Sequence, residues 1–79
     1  MTNRMRPIHP GEILKDELAA LQLSANAFAK ALGVPANRIT GILNEQRSVT
    51  ADTALRLARF FGTTPEFWMS LQASYDIKK

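Results

Sequence analysis

The stretch SANAFAKALGVPANRITGILN, from Ser24 to Asn44, decides the fold of this chain. Its first half places apolar residues at the i, i+3, i+4 and i+7 spacing of an amphipathic helix. Ser24 is a good N-cap for that helix, and Gly33 ends it because glycine readily adopts a left-handed conformation. Pro35 fits the first position of a second helix, on which Ile39 faces inward. The segment therefore predicts two short helices joined by a tight turn.

The rest of the chain predicts three more helices. The first begins at Pro10 and carries a leucine stripe that we expect to face the core, formed by Leu14, Leu18 and Leu21. Another is capped by Thr50 and ended by Gly62. The last spans residues 64–76 and is preceded by two neighbouring threonines, either of which can cap it. No stretch alternates apolar and polar residues as a strand would, so we predict an all-α fold of five helices.

The length of 79 residues predicts one domain over residues 1–79, with a flexible arm at residues 1–9. A chain of this size buries a small share of its surface, so pairing with a second copy would add apolar burial. The absence of cysteine excludes disulfides and thiolate zinc sites. The sequence shows neither a membrane span nor a signal peptide, and we therefore expect a cytoplasmic protein. A net charge of +3 modestly favours a polyanionic partner.

The outer face of the second short helix suggests a reader of DNA bases. Ala29 is small enough to let the two helices cross closely, which is the arrangement of a helix-turn-helix. The outward residues are small or able to form hydrogen bonds, and we predict base contacts from Ala36, Asn37, Arg38, Thr40 and Gly41. Asn37 and Arg38 are the principal candidates, because Asn pairs with adenine and Arg with guanine. Gly41 is costly in a helix and implies close approach, either to a DNA strand or to a neighbouring helix.

Polar and basic residues on either side of this helix are candidates for binding DNA phosphates. They are Ser24, Asn26, Lys30, Asn44, Arg47 and Ser48. The spacing of Arg56 and Arg59 is consistent with contacts along a DNA strand and equally with solubilising charges.

The last predicted helix is apolar on more than one side, which indicates either a two-fold interface or additional core. For the interface the candidates are Trp68, Leu71 and Tyr75.

The acidic residues Glu12, Asp16 and Glu17 are consistent with a solvated helix face or with an acid and base pair. His9 is the only histidine and we expect it to help begin the first helix. We predict no metal, no cofactor and no enzymatic activity, because the sequence assembles neither ligands nor a nucleophile with its base.

Three segments carry a family resemblance: HPGEIL at residues 9–14, FAKALGVPANRITGILN at 28–44, and TADTALRLARFFGTTPEFWMSLQASYD at 50–76. They resemble HigA antitoxins, a group within the Xre or lambda-repressor-like helix-turn-helix family. The resemblance implies a five-helix DNA-binding domain that forms a homodimer and represses its own toxin-antitoxin operon. It also implies binding of a HigB-type toxin, an mRNA endonuclease, and suggests that the acidic residues of the first helix contact this basic partner. The alternatives are a stand-alone transcriptional repressor and a protein-interaction module.

Overall fold

The computed structural model describes residues 7–78, which fold into five helices. They are α1 (Pro10–Leu21), α2 (Ala25–Leu32), α3 (Ala36–Leu43), α4 (Ala51–Phe61) and α5 (Pro65–Lys78). α2 packs on α3 and α4 packs on α5, while α1 lies against both α3 and α5. Residues 7–78 contain no β-strand, and the predicted all-α class with five helices is confirmed. Within the same range, no helix is both long enough and apolar enough to span a bilayer.

Side chains at the start of the helices cap them much as the sequence predicts. The Nδ1 atom of His9 accepts a hydrogen bond of 2.9 Å from the N–H of Gly11. The hydroxyls of Ser24 and Thr50 each accept a bond from the backbone N–H three residues later. Thr64 caps α5 through a bond of 3.3 Å, so the second of the two neighbouring threonines is the cap. These bonds satisfy N–H groups that have no partner within the helices themselves.

The prediction of a flexible arm over residues 1–9 is wrong for His9. This side chain is only 2% exposed, and its ring packs against that of Tyr75 in a T-shaped arrangement with the centroids 4.8 Å apart. Its capping role at α1 agrees with the prediction that it helps begin the first helix. Residues 1–6 of the predicted arm lie outside the described residues.

The apolar core lies where the five helices meet. Its buried members are Leu14, Leu18, Phe28, Ala29, Leu32, Ile39, Ile42, Val49, Ala54, Leu57 and Trp68. Leu21 is 48% exposed, so the prediction that it belongs to the inward leucine stripe is wrong. The reason is that α1 ends at this residue and the chain reverses at Gln22, which has a left-handed φ of 58°. Leu23 then packs against the core in its place.

Two glycines fix how the first three helices pack. Gly33 ends α2 with a φ of 75°, as predicted, and allows the tight turn into α3. Gly11 is buried where α1 crosses α3, and a methyl group there would collide with the backbone carbonyl of Ile42. The close crossing at Gly11 sets the position of α3 against the rest of the molecule.

Candidate DNA-binding surface

α3 is buried on one side and open on the other. Ile39 and Ile42 are at most 1% exposed and anchor the helix in the core. Of the predicted base-reading residues, the exposed ones are Asn37 and Thr40, and the half-buried ones are Ala36, Arg38 and Gly41. The helix has eight residues, and an α-helix with its side chains is about 10–12 Å across, which fits the ~12 Å width of the DNA major groove. Pro35 serves as its N-cap and not as its first residue.

Arg38 is held by an ion pair. Its Nη1 atom lies 3.2 Å from Oδ2 of Asp52, in the first turn of α4, and its side chain is 34% exposed. Neither the pair nor Asp52 was predicted, because the two residues belong to different helices. Asn37, by contrast, is exposed beside it at the start of α3.

The hydroxyl of Thr40 is turned back onto its own helix. It donates to the carbonyl oxygens of Ala36 and Asn37, each at 3.3 Å. The methyl group of Thr40 is therefore the part available for the apolar contact with a thymine methyl that the sequence suggests.

Gly41 makes room for the side chain of Arg47. A methyl group at this glycine would lie 2.5 Å from Cδ and 2.6 Å from Cγ of Arg47. The carbonyl oxygen of Gly41 also accepts bonds from the N–H groups of Gln46 and Arg47, at 2.8 and 3.2 Å. The close neighbour of Gly41 in this structure is therefore the loop that follows α3, and not a neighbouring helix.

All six residues predicted to bind phosphates are exposed. Three of them lie on α2 or at its start, and three lie in the loop after α3: Ser24, Asn26 and Lys30 in the first group, and Asn44, Arg47 and Ser48 in the second. Ser24 also caps α2, so its hydroxyl oxygen is engaged by the N–H of Ala27 at 3.1 Å. Polar groups thus precede and follow α3 along the chain, and phosphate contacts from such groups would fix the register of α3 on a duplex.

A buried glutamine holds the loop after α3, and sequence reasoning missed it. The Oε1 atom of Gln72, on α5, accepts a bond of 2.8 Å from the N–H of Val49. Gln72 is 4% exposed and Val49 is 2% exposed, so neither group is reached easily by water. The Nε2 atom of Gln72 donates to Asp76 at 3.0 Å. The end of the loop that carries Arg47 is therefore tied to the last helix.

The structure favours a structural role for Arg56. Its Nη1 atom donates to the carbonyl of Leu32 at 2.8 Å, at the end of α2, and its Nε atom donates to Asp52 at 3.2 Å. These bonds fix the guanidinium between α2 and α4. Arg59 is exposed on the same helix.

The residues predicted for a two-fold interface are divided between core and surface. Trp68 is 1% exposed and its Nε1 donates to Thr63, so it is a core residue and the interface prediction is wrong for it. Leu71 and Tyr75 are half-buried. The large apolar side chains that α5 exposes are others, namely Phe67, Met69 and Ile77.

The three acidic residues of α1 differ in exposure. Glu12 is half-buried, whereas Asp16 and Glu17 are exposed. Glu17 lines a groove between α1 and the start of α5, whose other lining residues include Ile13 and Phe67. Within residues 7–78, no three His, Asp or Glu side chains come together in a group that could hold a metal ion.

Comparison with known proteins agrees with this architecture. Residues 14–68 match a family model described as helix-turn-helix. The chain is 69% identical to the solved structure of an addiction module antidote protein of the HigA family from Coxiella burnetii, with a TM-score of 0.91. That similarity covers 92% of this chain and 80% of the other.

Two further relatives share about half of their aligned residues with this chain. The Pseudomonas aeruginosa antitoxin HigA, solved with its higBA promoter, is 51% identical with a TM-score of 0.89, over 91% of this chain and 79% of that one. Virulence-associated protein I of Dichelobacter nodosus is 54% identical over 96% of this chain and 71% of its own length. The two HigA relatives are an antidote protein and an antitoxin and not enzymes, as the sequence predicts. The chain therefore belongs to the helix-turn-helix family and, within it, to the HigA group of antitoxins.

Proposed function

We propose that this protein is a DNA-binding antitoxin that represses its own operon, with α3 inserted into the major groove. The observation that carries the proposal is the open face of α3, which presents Asn37 and Arg38 on a helix firmly anchored in the core. A solved relative, the HigA of Pseudomonas aeruginosa, is bound to promoter DNA, which supports the same role here. Asn37 and Arg38 read bases, while Ala36, Thr40 and Gly41 allow close approach.

Phosphate contacts set the register of α3 on the duplex. Lys30 from α2 and Arg47 from the following loop supply the positive charges, and the exposed polar side chains around them supply further donors. Each phosphate that a basic side chain neutralises contributes about 0.9 to the slope of log affinity against log salt. Binding therefore weakens steeply as the salt concentration rises.

The functional unit is a homodimer that uses the surface of α5. Met69 and Ile77 are 37% and 83% exposed and lie eight residues apart, on the same side of the helix. Exposed apolar side chains of this kind mark contact surfaces. Leu71 and Tyr75, the other residues predicted for the interface, lie on another side of α5, where Leu71 packs against the core and the ring of Tyr75 against His9. Two copies related by a two-fold axis then read a palindromic operator, with half-sites about 34 Å apart or a multiple of that distance.

The partner to be neutralised is a basic HigB-type toxin, and the acidic face of α1 receives it. Asp16 and Glu17 are exposed there, and the groove beside Glu17 offers the apolar side chains of Ile13 and Phe67. None of these residues belongs to the candidate DNA-binding set, so toxin and operator use separate surfaces.

Operator binding is tested by fluorescence anisotropy with the DNA upstream of this gene and with an unrelated duplex of equal length. Asn37→Ala and Arg38→Ala should each weaken operator binding by about 5- to 150-fold, which corresponds to the ~1–3 kcal/mol of one bidentate base contact. Lys30→Ala is the matched control, which should weaken binding to both duplexes alike and reduce the salt slope by about 0.9. Equal affinity of the wild type for both duplexes at physiological salt would contradict sequence-specific repression.

The toxin is tested by co-purification with the product of the neighbouring reading frame and by inhibition of its mRNA cleavage. The double substitution Asp16→Lys with Glu17→Lys should weaken this complex while operator binding remains. If no partner co-purifies and the operator is still bound, the protein is a stand-alone repressor. If partner binding falls in the α3 variants and operator binding does not, α3 is a protein-interaction surface.

A further inference from the structure

Asp52 joins the candidate reading helix to two other helices. Its Oδ2 atom accepts from Nη1 of Arg38 and from Nε of Arg56, both at 3.2 Å. Arg56 in turn donates to the carbonyl oxygen of Leu32 at 2.8 Å. A continuous chain of hydrogen bonds therefore runs from the end of α2, through α4, to the side chain of Arg38.

An acidic side chain opposes DNA binding at this place, because DNA phosphates repel a carboxylate. Between residues 24 and 50 the sequence has three basic side chains and one acidic one, and Asp52 follows directly. Part of the reason for an acid here is local, since the first turn of a helix favours negative charge. Glu66 has the equivalent place in α5. The helix terminus does not explain why the carboxylate of Asp52 contacts Arg38.

We propose that Asp52 is a positioning residue that sets the sequence discrimination of Arg38. This inference rests on the proposed role of α3 as the reading helix. An arginine has five N–H donors in a planar fork, and the bond from Nη1 to Asp52 leaves Nε and Nη2 as an adjacent pair for a base. A fork already held in one orientation loses less conformational freedom when it binds guanine.

The same ion pair limits binding to the wrong DNA. On an unrelated duplex Arg38 finds no matching base, and a free guanidinium would turn to a phosphate instead. Asp52 competes with the phosphate for that guanidinium, and this competition requires Arg38. The side chains of Arg38, Asp52 and Arg56 are 34%, 58% and 39% exposed, so solvent moderates the effect without removing it.

The test is Asp52→Asn, measured by anisotropy against the upstream operator duplex and an unrelated duplex over a series of salt concentrations. We expect affinity for the unrelated duplex to rise about three- to tenfold, the effect of losing one or two partly exposed ion pairs. Its salt slope should steepen by about 0.9 for each phosphate that Arg38 then reaches. Operator affinity should change less, so the ratio of the two affinities falls.

Glu66→Gln is the matched control, since it removes one negative charge from the first turn of α5 and is remote in sequence from α3. If it lowers discrimination as much as Asp52→Asn does, net charge is the cause and the proposal is wrong. The second control places Asp52→Asn in an Arg38→Ala background. There the effect of Asp52→Asn on discrimination should vanish, and its persistence would equally overturn the proposal.

The outcome also separates this inference from the proposed function. A wild-type protein that does not distinguish the operator refutes specific repression, and the role of Asp52 with it. A wild type that does distinguish it, together with unchanged discrimination in Asp52→Asn, refutes only the role of Asp52. Circular dichroism of Asp52→Asn shows whether α4 still forms, and Asp52→Glu, which keeps the charge, should retain more discrimination than the amide.

Discussion

Replacing Gln72 by Met tests how the loop after α3 is held in place. Met has nearly the same length, but its thioether sulfur is only a weak acceptor, so the N–H of Val49 would stay buried without the strong bond of 2.8 Å that it makes to Gln72. Leaving such a group unsatisfied costs about 1–3 kcal/mol. For a domain of 60–100 residues each kcal/mol lowers the Tm by about 4–8 °C, so we expect a loss of roughly 5–20 °C.

Thermal unfolding followed by circular dichroism, at one fixed protein concentration, measures this change. Ser74→Met, which places the same side chain at an exposed position of α5, is the control and should change stability by less than about 0.5 kcal/mol. Amide hydrogen exchange at Val49 should accelerate in Gln72→Met. If Gln72→Met unfolds at the same temperature as the control and Val49 stays protected, the bond does not hold the loop.

Three further substitutions test single features of the fold and the site. His9→Ala should lower the free energy of unfolding, measured in urea, by about 1–3 kcal/mol, because both the N-cap and the ring contact are lost. His9→Asn, which keeps a capping oxygen, should recover part of that loss. Gly11→Ala should lower the free energy of unfolding by more than about 2 kcal/mol in the same assay, because its methyl group meets the backbone at Ile42. A cost below about 0.5 kcal/mol would contradict that close crossing. Gly41→Ala should leave the Tm unchanged or raise it, since alanine favours the helix. The same substitution should weaken operator binding several-fold, because the added methyl group displaces Arg47. Unchanged binding would show that the position of Arg47 is unimportant.

The features that the sequence predicts correctly are those with local causes. Ser24 and Thr50 cap the helices that begin immediately after them, and Gly33 ends α2 next to its own position. Each of these effects acts within about four residues, which is the range that periodicity and capping rules describe. The outward face of α3 follows in the same way, because burying Ile39 and Ile42 leaves the remaining positions to the surface.

The features that could not be predicted join residues far apart in the chain. The bond from Val49 to Gln72 spans 23 positions, and that from Arg38 to Asp52 spans 14. Such contacts depend on how whole helices pack, which a pattern of apolar residues does not specify. The prediction that Trp68 lies at an interface was wrong for the same reason. Periodicity shows that α5 is apolar on several sides but not which side meets the core.

The contact between His9 and Tyr75 also has a consequence for how the chain is made. The ring that caps α1 is covered by a side chain on α5, 66 positions later in the order of synthesis. Proteins emerge from the ribosome N-terminal end first. A nascent chain that has not yet released Tyr75 leaves one side of the His9 ring uncovered. The first helix to be synthesised therefore reaches its final packing only when the last one docks.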